Sequence, residues 1–140
     1  MKLNLIWKWA FIMFFFMAVL FSTSVSAQNA GDYRTSGSGA WHNNSIWKTY
    51  DGSSWVAAAI PPSSADGSIT IVMGDSVYIT ANITIDQTCV DSGAVLLIQS
   101  GVTVTVNNGA DDDLRVNGTF HVQGNLSYTG STNETTGLMV

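Results

Sequence analysis

From residue 68 to residue 130 the chain alternates apolar and polar positions in short runs. Ile69 and Ile71, Val77 and Ile79, Ile83 and Ile85, Val95 and Leu97, and then Val102, Val104 and Val106 stand two apart. That spacing puts each set on one face of a strand, and the intervening Thr, Ser and Asn suit a solvated face. Gly74, Gly93, Gly101, Gly109, Gly118, Gly124 and Gly130 separate the runs and predict corners at which glycine supplies a positive φ. The runs also recur in order. Val77, Ile83 and Ile85 align with Val95, Val102 and Val104, and these with Phe120, Leu126 and Tyr128. Self-similarity at roughly 20 residues marks a solenoid whose repeats bury their apolar faces only by stacking on one another.

Three strands per repeat predict an all-β fold, a right-handed parallel β-helix of about three coils over residues 68–140. The first coil holds residues 69–72, 77–80 and 83–86. The second holds 89–90, 94–99 and 102–106, and the third 114–116, 119–122 and 126–129. The extra residues between the second and third coils fall at 107–113, where a loop can bulge from the stack. An antiparallel β-sandwich, whose strands recur at similar intervals, is the alternative. The apolar run at residues 137–140 reads as the opening of another strand. It predicts an open end, covered by further coils of a longer chain or by a partner.

Residues 28–67 have a different texture. Trp41, Trp47, Tyr50 and Trp55 lie among Gly, Ser and Asn with neither a helical nor a two-residue period, which predicts short strands with a hairpin turn at Asp51 and Gly52. Pro61 and Pro62 end the apolar run before them, because proline lacks the N–H a ladder needs. The segment is predicted to cap the first coil.

The first 27 residues form a third unit, with Lys2 and Lys8, an unbroken apolar run over residues 10–21 and a small-residue ending at Ala27. This is the layout of a secretory signal peptide, and the apolar run is shorter than the ~20 residues that span a bilayer. The expected location is therefore extracellular or on the outer cell surface, with no membrane span after cleavage. Beyond the signal only Arg34, Lys48 and Arg115 oppose the ten carboxylates of the chain. So few cations exclude a nucleic-acid partner held through phosphate neutralisation. The single cysteine, Cys89, permits no internal disulfide, and its place beside Val90 predicts a small buried apolar residue. His121 alternates with Phe120 and Val122 and is expected to face solvent.

Two groups could carry chemistry. Asp111, Asp112 and Asp113 are a candidate Ca2+ site, but three adjacent carboxylates cannot all converge on one ion and would need Asn107, Asn108 or backbone carbonyls to complete the shell. The competing reading is a solvated loop. Trp41, Trp47 and Trp55 could stack on sugar rings, or plug the end of the first coil. Asp75, Asp86 and Asp91 lie near predicted corners without forming an aligned acidic set, so no catalytic constellation is predicted. Five Asn-x-Ser/Thr triplets, beginning at Asn43, Asn82, Asn117, Asn125 and Asn133, are expected by chance in so Asn- and Thr-rich a chain.

The stretches DYRTSGSGAW at residues 32–41, SIWKTYDGSSW at 45–55 and SITIVMGDSVYIT at 68–80 resemble a pattern in secreted surface proteins of Bacteroidetes-type bacteria. GAVLLIQSGVTVTV and DLRVNGTFHVQGNLSYTG continue the likeness. In those proteins a signal peptide and a Trp-rich segment precede a β-helix, and a type IX secretion sorting domain often follows. The resemblance implies a non-catalytic structural or adhesin-like module, with extracellular polysaccharide or a host or cell-surface ligand as partner. The alternative is a carbohydrate-binding module, or the N-terminal part of a polysaccharide-active β-helix enzyme.

Overall fold

The computed structural model describes residues 27–110, 112–129 and 138–139. The predicted signal peptide therefore lies outside the described residues, Ala27 apart. What is described is all-β, with one 3-10 turn at Asn44–Ile46 whose first amide is capped by the Asn43 side chain.

Among the described residues fourteen strands fill three sheets. Sheet A runs in the order β14 (Leu138–Met139), β11 (Leu114–Val116), β8 (Thr88–Val90), β5 (Ile69–Ile71), β1 (Tyr33–Thr35), β3 (Trp47–Tyr50), β4 (Trp55–Ala57). Sheet B is β12 (Thr119–Val122), β9 (Val95–Ile98), β6 (Ser76–Ile79), β2 (Gly39–Ala40). Sheet C is β13 (Asn125–Tyr128), β10 (Thr103–Val106), β7 (Ile83–Ile85). From β5 to β14 the chain visits A, B and C in turn, and every pairing among these strands is parallel. Sheet A is mixed, because β3 pairs antiparallel with both β1 and β4.

Alternation within each strand makes the core. Ile69 and Ile71, Val77 and Ile79, Leu96 and Ile98, and Val104 and Val106 turn inward and are almost wholly buried. Each inward row continues from strand to strand, so Val77 faces Leu96 and Leu96 faces Phe120. The rows do not follow the alignment predicted from sequence. Val77 pairs with Leu96, one residue past Val95, and Ile83 pairs with Val104, two past Val102. Each strand is so short that a shift by one or two still matches apolar to apolar. The 107–113 segment is thus not the sole irregular corner. The stretch between β9 and β10 is also longer than its counterpart between β6 and β7.

One further expectation needs correction. Gly74, Gly93 and Gly101 do take positive φ, but Gly109, Gly118 and Gly124 do not. At Gly118 and Gly124 the reason for glycine is close approach, since a Cβ would collide with the carbonyl oxygens of Asp91 and Ala94 in the first case, and of Val102 and Gln99 in the second. Gly130 lies outside the described residues. The early part of the Trp-rich segment also enters the sheets directly, β1 pairing with β5 and β2 with β6, both parallel. The hairpin predicted at Asp51 and Gly52 is present between β3 and β4, with Asp51 Oδ1 accepting from the amides of Ser53 and Ser54.

Candidate functional site

The tryptophans separate into two roles. Trp41 and Trp47 are buried at 0% and 1% exposure and meet edge-on with ring centroids 5.0 Å apart. Their N–H groups are satisfied internally, Trp41 Nε1 donating to the Pro62 carbonyl at 2.9 Å and Trp47 Nε1 to the Trp41 carbonyl at 2.8 Å. Neither ring is available to a ligand. Trp55, at the start of β4, is half-buried, tilted against Tyr50 at 5.3 Å and covered by the Arg34 guanidinium 4.4 Å from its ring centroid.

Arg34 belongs to the outward row of sheet A. Period-two alternation buries Tyr33 and Thr35 and turns Arg34 outward, and register then places Lys48, Arg34, Thr70, Cys89 and Arg115 side by side on β3, β1, β5, β8 and β11. The three cations beyond residue 27 thus share one row of one sheet. Arg34, Thr70, Cys89 and Arg115, with Trp55, Asp91 and Asp112, line an open groove of about 680 Å3.

Cys89 overturns the expectation of a buried apolar thiol. It is half-buried in the groove, with Sγ accepting from Arg115 Nη2 at 3.4 Å and donating to Asp91 Oδ1 at 3.6 Å. The adjacent Val90 takes the inward position, and a strand cannot send neighbours to the same face. The pKa of Arg115 is raised, first by the hydrogen bond to Cys89, with smaller contributions from Asp112 and Asp91.

The described members of the acidic run, Asp112 and Asp113, do not gather. Asp111 lies outside the described residues, and Asp112 lines the groove. Asp113 turns inward to 0% exposure, where Oδ1 accepts from the Gly109 amide and Oδ2 from the Tyr128 hydroxyl, both at 2.8 Å. The loop is therefore tied into the stack at Asp113, not wholly solvated. Beneath it Asp86 is 8% exposed, and its pKa is raised by burial first and then by the nearby Asp113. Among the described residues no group of three or more His, Cys, Asp or Glu side chains could hold a metal ion. His121 faces solvent as expected.

Sequence reasoning found Trp55 but not its partners. Arg34, Cys89 and Arg115 come together through cross-strand register, which links residues far apart in sequence. The signal available was their outward parity in runs whose neighbours are apolar. Among the described residues no helix is long and apolar enough to cross a membrane. Comparison with family models, curated proteins and solved structures gives no match.

Proposed function

We propose that the strands from β5 onward are coils of a right-handed parallel β-helix, and that the chain is a non-catalytic structural and adhesive module of an exported cell-surface protein. The observation that carries the reading is the fixed A, B, C order in which the chain visits its sheets, each return pairing parallel and in register with the previous visit. Such a circuit stacks apolar rows of Ile, Val and Leu inside and leaves three continuous outer faces, which suits an extended spacer that presents side chains at regular intervals. Right-handedness follows from the general preference of parallel crossovers. The signal-like layout of the first 27 residues and the resemblance to surface proteins support export, and the outer faces supply adhesion.

The test is protease shaving of intact cells that express the protein from its own gene, paired with an adhesion assay on the deletion strain. Loss of the chain on shaving, with weaker adhesion on deletion, is the expected result. Full protection from protease in intact cells with release only on lysis would overturn it.

A further inference from the structure

The geometry points to the outer face of sheet A as a binding site for an extended, uncharged polysaccharide chain, an inference that rests on the adhesive reading above and names its ligand. Side chains in the row from Lys48 to Arg115 recur once per strand, about 4.8 Å apart, close to the length of one sugar unit. A chain lying across the strands would meet a new polar group at each step. The groove volume of about 680 Å3 is in the range that holds a small ligand or a few linked sugars.

Charge decides among ligands. Arg34 and Arg115 are the only arginines of the whole chain, and both line this groove, yet Asp91 and Asp112 line it too. A polyanion would meet those carboxylates and a chain of net charge −5. A polycation would meet the two guanidinium groups. Hydroxyl groups both donate and accept, so a neutral glycan satisfies both kinds of partner, and Thr70 between them does the same. An extended peptide would seek a sheet edge for its backbone, and this site is a face.

Arg34 is also preorganised. Its stacking on Trp55 fixes the guanidinium plane before any ligand arrives, which lowers the ordering cost of binding, and Trp55 adds apolar surface for the C–H faces of a sugar. The other outer faces lack this combination. Sheet B presents Tyr78, Leu97 and His121 in one row, and sheet C presents Thr84, Thr105 and Ser127.

Affinity electrophoresis of the full chain through gels containing xylan, β-glucan or mannan tests the inference, with alginate as the anionic counterpart. Retardation on at least one neutral polysaccharide, insensitive to salt, is expected. Arg34→Ala and Arg115→Gln should each weaken it about tenfold, the effect of removing a charge-assisted hydrogen bond. Thr105→Ala on sheet C should leave it unchanged. Arg115 is exposed, so Arg115→Gln reports on binding even if Arg34→Ala disturbs packing on Trp55. No retardation on any neutral gel, retention on alginate alone that salt abolishes, or equal weakening by Thr105→Ala would each overturn the site. Failure here leaves the shaving and adhesion results untouched, and a protease-protected chain can still be retarded, so the two readings fail separately.

Discussion

The indole N–H of Trp47 donates to the carbonyl oxygen of Trp41 at 2.8 Å while the two rings meet at 5.0 Å, so one residue both packs against and hydrogen-bonds the other. Truncating Trp47 to Ala removes a fully buried ring and strands the Trp41 carbonyl. We expect a loss of about 3–5 kcal/mol in urea unfolding. Trp47→Phe keeps most of the ring and should lose less. Equal losses in the two variants would mean that ring volume contributes nothing at this position.

Gly118 predicts a steric failure. Gly118→Ala drives a Cβ into two backbone carbonyls that cannot move without breaking the ladder, whereas Gly37→Ala meets nothing within 4 Å. The first should lower the melting temperature sharply, corresponding to about 2–4 kcal/mol, and the second should stay within about 0.5 kcal/mol. Similar melting temperatures for the two would contradict the close packing of the β11–β12 corner on the β8–β9 corner.

Asp86 and Asp51 should respond to pH in opposite senses. The Asp86 carboxyl has its pKa raised by burial and by Asp113, so folding favours its protonated form. Its stabilising contribution is complete below the ordinary carboxylate value of 3.8 and is lost as pH rises through the raised value. Asp86→Asn should therefore raise the melting temperature at neutral pH, and the gain should vanish in acid. A gain that persists unchanged at acid pH would rule out ionisation as its source.

The Asp51 carboxyl is lowered to about 2, first by the Ser54 amide and then by the Ser53 amide. Its contribution is present above 3.8 and fades as pH falls toward 2. A carboxyl-carbon NMR titration of the β3–β4 turn should show a midpoint near 2, and Asp51→Ala should destabilise the hairpin at neutral pH but not at the acid end. A midpoint at the ordinary value would show that the turn does not hold the carboxylate.

Cys89 should react with maleimide in the folded state, because its sulfur faces the sheet A groove. Complete labelling below the unfolding transition is expected by mass spectrometry. Labelling that appears only with denaturant would return Cys89 to the core.

Strand positions from residue 69 to residue 128 were legible in the sequence because alternation is local. Ile69 and Ile71 or Val104 and Val106 declare a face within three residues. Register was not legible to the same depth. Val95 and Leu96 are both apolar, so sequence similarity could not decide which of them stacks on Val77, and only the packing of Leu96 inward settles it. The groove was hidden for the same reason. Arg34 and Arg115 stand three strands apart across sheet A, a relation that depends on summing several corners correctly. The tryptophans were recognised as a group, but their division into two buried and one at the surface depended on which carbonyls lay within reach of each indole.

The reversal at β3 is undone at β4. β3 runs against β1 and β4 runs against β3, so β4 points the same way as β1 and β5, and a strand from another copy that arrived there in that sense would find a neighbour to match. Fibrous propagation stacks identical segments, each templating the next. On that side what limits such growth is the shortness of the border, since β4 covers only Trp55–Ala57, and Pro61 and Pro62, which have no N–H to offer a ladder, follow it closely.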